Sequence, residues 1–466
     1  MSAVIEYDYQ VSSGLDHSPD GAAMHLATSG GSRRDGVAER HPHFFSGFVE
    51  RPDVVAAALL VVARVARTRF YVPPNMLAAL LRAADPVVTS TAEGLRFESF
   101  SACCGVYARL DVLAESLDAS FSAAGVTNVD VNPPLRQALA ALRPREPLHL
   151  AVGDDELRVS TLDEQIVEDK VALPDRWVKG FAETQSLASG MVLVHDLDAA
   201  ATSQFLRSLP RSSATNTVMW ATPALRSLRL ASRPTSGAVC LAGPERLRVL
   251  EPMLRFATRL RAFGVPAGST STPAASTWVL DLPGARLTIS LSPEKSRGFS
   301  GEGGMLLSLV GDQVVADAEL LAGQLLFEPR IDIPSLASGS ALTPQRVTDA
   351  LGVLASSGQV GFDSAEGAYF HRPLPLSAET LSAIHPRLAG AEKLVAHGGV
   401  SSHLSAAGEP VFHVLSGGVL YVVALRTGEP DRCTCPWFAK YRGTRGPCKH
   451  VLAARISART VAASGS

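Results

Sequence analysis

The sequence predicts a multidomain α+β chain that ends in a metal-binding finger, and three observations carry the prediction. A length of 466 residues with 46% hydrophobic and 19% charged content describes a core-forming chain of several domains. Stretches of period-two alternation and stretches of helical spacing follow one another in mixed order. Near the C-terminus stand Cys433-Thr434-Cys435 and, twelve residues later, Cys448-Lys449-His450.

Bulk charge narrows the function classes. A net charge of −2 gives no global attraction to nucleic acid, so any such binding needs a local patch. The N-terminus, MSAVIEYDYQ, lacks the basic start and apolar core of a secretory signal. The longest apolar run, Val54 to Ala63, is too short to span a bilayer. A cytoplasmic location without membrane contact is expected, where thiols stay reduced and favour metal over disulfides.

Residues 1–44 are rich in Gly, Ser, Asp and His, and read as a disordered tail. An N-terminal α+β domain is expected over 45–146. Asp53 should cap a helix over 54–69, a second helix should cover 75–84, and strands should cover 94–100 and 105–112. A middle α+β domain is expected over 147–328. Its strands are expected at 148–152, 156–160, 218–221, 238–241, 277–282 and 285–291. Its helices are expected at 176–189, 199–208 and 244–263, the last from Leu247, Leu250, Leu254, Ala257 and Leu260, with a kink at Pro252.

Residues 329–376 read as a winged helix-turn-helix. A short helix fits 333–338, and Thr343 caps a second that starts with Pro344 and carries Val347, Ala350, Leu351 and Leu354. Val360 and Phe362, then Tyr369 and Phe370, form the wing. The last unit, 377–458, holds a helix at 378–388 and two strands, 411–415 and 420–425, joined by Ser416-Gly417-Gly418, before the cysteines. Residues 459–466 are a tail.

Three of only six cysteines fall in this last window. Thiolate and imidazole suit tetrahedral zinc. In an extended segment Cys433 and Cys435 share a face. Gly446-Pro447 opens a helix whose first turn carries Cys448 and His450, with Val451, Leu452 and Ile456 as its packing side. Four protein ligands leave no place for water, so a single, structural Zn2+ is expected. The CxC and CxH pairs, Pro447 and the apolar helix that follows resemble the SWIM zinc finger over about residues 411–458. That resemblance implies a zinc module for binding DNA or protein. The stretch from Leu95 to Leu110 is similar to the N-terminal region of uncharacterised bacterial SWIM proteins, with no chemistry attached.

Between Arg426 and Arg459 there are eight basic and two acidic residues. Trp437 and Tyr441 are interleaved with Lys440, Arg442, Arg445, Lys449 and Arg455, a pattern suited to single-stranded DNA or RNA. The alternative is that the aromatics roof the zinc site and the charges are solvated, with a protein as partner. The helix at 344 offers Gln345, Arg346 and Thr348 beside Asp349, a poor phosphate-seeking surface. Cys103-Cys104 and Cys240 read as structural, His41-Pro42-His43 as a pair at the edge of the tail with no nearby carboxylate or thiol to complete a metal site, the glycine-rich run 297–304 as a loop or helix start, and Arg246, Arg248, Arg255, Arg259 and Arg261 as a solvated face. With no catalytic constellation, neither an enzyme nor a small-molecule substrate is expected.

Overall fold

The computed structural model describes the chain except residues 1–5, 8–11, 20, 34–37, 40, 71–84, 143–145, 154–170, 173–174, 269–270, 300–302, 304–305, 307–311, 375–385, 405–409, 427–430, 444 and 465–466. The expected helix at 75–84 and strand at 156–160 lie outside the described residues.

A ten-stranded antiparallel sheet dominates the molecule. Its order is Val192–Asp198, Arg259–Gly264, Ser276–Leu282, Ala285–Leu291, Val106–Leu113, Gly94–Phe100, Val87–Thr91, Gly125–Val129, Thr28–Arg33 and Ala38–Glu39. A second sheet of five strands runs Leu117–Ser122, Phe45–Val49, Leu148–Val152, Gly21–Leu26 and Gly14–Ser18. Helix Pro52–Arg67 joins one core with both sheets, and eleven of its residues are buried. A helix apolar nearly all round has to be buried on more than one side. Arg51, not Asp53, occupies its N-cap, because Pro52 takes the first turn and Asp53 falls inside the helix.

Three expectations are corrected. Residues 14–18, 21–26 and 28–33 are strands, not a tail. Ala22, Met24 and Leu26 point into the core at every second position of Gly21–Leu26. The glycines read as tail composition permit close approach: a Cβ on Gly31 would sit 2.5 Å from Val126 O. The boundary expected at 146/147 is crossed by both sheets. Leu148–Val152 lies between Phe45–Val49 and Gly21–Leu26, and Ala285 pairs with Val112 in the large sheet.

The helix expected over 244–263 is two elements. A 3₁₀ segment covers Pro244–Met253, and Arg259–Gly264 is a strand. Pro252 removes a donor there, and Leu260 and Ala262 alternate into the core opposite Leu280 and Trp278. The solvated face expected for the arginines of that helix forms only in part, since Arg255 and Arg259 are exposed. Arg246 is fully buried, donating to the carbonyls of Ala242, Gly105 and Ser292, while Arg259 pairs with Asp196 and Arg261 with Asp281.

Helices Asp312–Ala322, Ile333–Ser340 and Pro344–Ser356 and the hairpin Val360–Asp363/Ala368–His371 share a small core. Thr343 caps the third helix through Arg346 N–H, and Pro344 stands at its start. This unit is pinned to the large sheet by buried charge. Asp363 lies 2.9 Å from Arg109, 3.4 Å from Arg96 and 3.7 Å from Arg286, while Asp111 binds Arg109 at 2.8 Å and Arg96 at 2.5 Å. The Arg96 guanidinium covers Phe370 at 3.6 Å. Three arginines hold Asp363 well below the usual carboxylate range against the opposing effect of its burial. Beside them, Glu98 accepts from Tyr107 (2.6 Å) and Arg372 (3.1 Å), with both ions fully buried.

Candidate metal centre

The finger begins with a four-stranded sheet in the order Val400–Leu404, Pro410–Ser416, Val419–Ala424 and Arg432–Cys433. The first strand was not anticipated. Gly417 and Gly418, with φ of 60° and 77°, make the expected tight link between the central pair. One face of this sheet, with Phe412, Val414 and Val423, packs on Leu388 and Ala391 of helix Pro386–Ala396 and on Val451, Leu452 and Ala454 of helix Lys449–Ser464. Part of the helix expected at 378–388 lies outside the described residues.

Register places the first ligand pair. Cys433 pairs with Val423 and therefore faces the helices. Thr434 is held at the sheet edge, its N–H donating to Val422 O at 3.1 Å and its Oγ1 accepting from Val422 N–H at 3.0 Å. Cys435 returns to the buried side. It also caps an unanticipated helix, Pro436–Tyr441, its Sγ accepting from Phe438 N–H at 3.4 Å. Arg442 (φ 47°) and Gly443 (φ 82°) stop that helix in the left-handed region. Gly446 (φ 71°) and Pro447 then turn the chain into Lys449–Ser464, where Cys448 Sγ accepts from Val451 N–H at 3.5 Å.

The ligand atoms of Cys433, Cys435, Cys448 and His450 all lie within 4.8 Å of one another, and all four residues are buried. His450 is stacked on Tyr421 at 4.2 Å, and its Nε2 is buried without a hydrogen-bond partner. Electrostatics match a cation site. A hydrogen bond from Cys433, together with that of His450, lowers the Cys448 thiol to about 4. The same bond and burial push Cys433 up, and burial pushes Cys435 up. One thiolate forms readily, but three need a dication among them. The donor set therefore fits zinc.

The expected interaction residues divide. Trp437 is half-buried with its ring 4.5 Å from Tyr441. Arg445 covers Tyr441 at 4.6 Å, and Lys440 lies 5.1 Å from the same ring. Arg442 is exposed, and the stem of Lys449 passes over Gly390. Arg455 donates twice to Asp431, at 2.8 Å each, so it is a clasp within the finger and not an open cation. Arg387 was missed. It covers Trp437 at 5.0 Å and donates to Arg445 O and Pro447 O, holding the loop before Cys448. Nothing in the sequence near position 387 signals that task, because its partners lie 58 and 60 residues away.

Elsewhere, Cys104 is buried at φ 55° with Sγ donating to Arg176 O, Cys240 is a buried strand residue, and His41 and His43 lie within reach of the carbonyls of Thr28 and Phe45. No helix among the described residues is long and apolar enough to cross a membrane.

Residues 421–457 match the family model of the SWIM zinc finger. No curated protein matches the chain. Among solved structures, the proliferating cellular nuclear antigen of Entamoeba histolytica aligns with 54% of this chain and 100% of its own at 10% identity. Its TM-score of 0.33 is too low to carry an argument.

Proposed function

From the SWIM zinc finger at 421–457 we propose a cytoplasmic, non-enzymatic adaptor whose finger holds one structural zinc ion and recruits a protein partner. The observation that carries the reading is the buried convergence of Cys433, Cys435, Cys448 and His450 from two segments on one point. Four protein ligands fill a tetrahedral ion, which supports a structural and not a catalytic role. The segment 329–376 is read as a winged helix-turn-helix used for docking. Gln345 donates to Asp349, Arg346 to Asp317 and Thr348 to Pro344 O, so its helix offers few groups to phosphate. Its wing is locked among Arg96, Arg109 and Arg286.

A second reading, single-stranded nucleic acid, is favoured by the Trp437–Tyr441 pair beside Lys440 and Arg445. Elemental analysis with an oligonucleotide titration across a salt series tests both. About one zinc per chain without salt-sensitive binding is expected. Steep salt dependence that is abolished by Arg442→Glu with Arg445→Glu, at unchanged zinc, would establish nucleic acid instead. Absence of zinc from reduced, chelator-free protein would reject the finger reading.

A further inference from the structure

One side chain from outside the matched residues 421–457 touches both arms that carry the metal ligands. Arg387 stands at the start of helix Pro386–Ala396. Its Nη1 donates to Arg445 O at 2.7 Å and to Pro447 O at 3.0 Å. Those carbonyls lie on either side of Gly446, which takes φ of 71°, and Pro447 immediately precedes the ligand Cys448. The same guanidinium lies 5.0 Å from the ring centre of Trp437. Trp437 belongs to helix Pro436–Tyr441, whose N-cap is the ligand Cys435.

Helix stability does not account for this placement, since the start of a helix is the unfavourable end for a cation. A third segment is shaped to receive it. Gly303 is buried, and a Cβ there would lie 2.1 Å from Arg387 Nη2. Leu306, its N–H donating to Gly303 O at 3.3 Å, enters the same apolar core as Cys433, Cys435 and Cys448.

We propose that Arg387 is a positioning residue of the metal centre, which fixes the loop before Cys448 so that the ligand set is assembled in advance. The inference rests on the finger reading and extends its site beyond the matched residues, to the turn at Gly303. Glycine is free to turn either way, so each rotation at Gly446 would swing Pro447 and Cys448 together. Two bonds from one guanidinium nitrogen hold the flanking carbonyls at a fixed separation. Ordering the loop beforehand removes an entropy cost that would otherwise be taken from ion binding. Formal charge points the same way. A dication with three thiolates and a neutral imidazole leaves one net negative charge in a buried site, and a guanidinium beside the residue before Cys448 offsets it.

The test measures the zinc dissociation constant of the full chain by competition with a chromophoric chelator, with the absorption spectrum of the Co2+-loaded chain as a second readout. Arg387→Met keeps an apolar stem beside Trp437 and removes every donor. It should weaken zinc binding about tenfold or more and shift the Co2+ bands. Arg387→Lys, which keeps a charge and a donor, should bind zinc more tightly than Arg387→Met. Gly303→Ala displaces the guanidinium without replacing it and should weaken zinc by a smaller factor. Arg445→Ala should leave zinc affinity unchanged, because Arg387 grips the carbonyl of that residue and not its side chain.

Unchanged zinc affinity and an unchanged Co2+ spectrum in Arg387→Met would overturn the inference. So would Arg387→Lys binding no tighter than Arg387→Met, since the effect would then be packing and not donation. If Arg387→Met does not fold, Arg387→Lys and Gly303→Ala are compared with the native chain, and native affinity in both would overturn it. Zinc content of the native chain separates the two levels of failure. A zinc-loaded native chain whose variants bind equally well rejects the role of Arg387 alone, and a zinc-free native chain rejects the finger reading beneath it.

Discussion

Two polar clusters perform the same task in different parts of this molecule. The Cys433–Cys435–Cys448–His450 cluster ties a sheet edge to a helix start. The Arg96–Arg109–Arg286–Asp111–Asp363 cluster ties a hairpin to the ten-stranded sheet. The first is built from ligands within one short window and needs an ion from outside. The second gathers residues separated by as many as 267 positions, and with Glu366 on Arg286 it supplies its own countercharge. A chelated ion substitutes for a core where the chain is too short to make one. Arginine–aspartate pairs add geometric demands to a core that already exists, at a desolvation cost.

The largest contrast should come from removing one ligand. Cys448→Ser should lower zinc from about one per chain to near zero. Amide exchange should then rise after about residue 426 and stay unchanged in the ten-stranded sheet, since structural zinc contributes on the order of 10 kcal/mol or more to such a module. Unfolding of the whole chain would erase the distinction between the two clusters.

Removing Asp363 should act in the opposite region. Asp363→Ala leaves three arginines facing an empty position and should cost about 3–5 kcal/mol in denaturant unfolding, with zinc content untouched. Exchange should rise in Pro344–Ser356 and in the hairpin. Simultaneous zinc loss would show that the two clusters are energetically coupled.

Acid should sharpen the comparison next. His371 accepts Phe327 N–H at Nδ1, and burial with the nearby Arg372 lowers it to about 4. Its folded value lies below its unfolded value, so the unfolded chain binds the extra proton. Stability is full above about pH 6.5 and falls by up to about 3 kcal/mol as pH drops to 4. Glu328, 4.0 Å from Nδ1, is too distant to reverse that direction. Below about pH 4 the depressed carboxyl of Asp363 adds its own loss. Urea midpoints at pH 7, 5.5 and 4.5, with His371→Gln as the flattened control, would check this.

The smallest effect should come from Arg455→Ala. It removes a bidentate, partly exposed pair with Asp431 and should cost about 1 kcal/mol or less, without zinc loss. A larger loss, or displaced zinc, would make Arg455 part of the support of the metal site.

What could be read without coordinates follows the range of each interaction. The metal ligands, the Gly417-Gly418 turn and the Thr343-Pro344 helix start depend on neighbours a few positions apart, and the structure has each in place. Strand Arg259–Gly264 was legible only as leucine spacing, which fits helix and strand alike until the gap beside Ser276–Leu282 decides between them. Strands Gly14–Ser18 and Thr28–Arg33 were hidden because glycine and serine weaken alternation, while in the second of them Gly31 permits the close approach of Val126.

Sequence by itself pointed to the four residues Cys433, Cys435, Cys448 and His450 that the fold brings together, and to the charge excess around them, since cysteine pairs and helix caps are short-range features. Only tertiary structure decided that 14–18, 21–26 and 28–33 are sheet strands, that both sheets run through the expected domain boundary, and that Arg109, Arg246 and Arg372 are buried. An arginine carries the same letter on a solvated face and in a buried interior. Which it becomes depends on carbonyls and carboxylates that the fold brings from elsewhere in the chain.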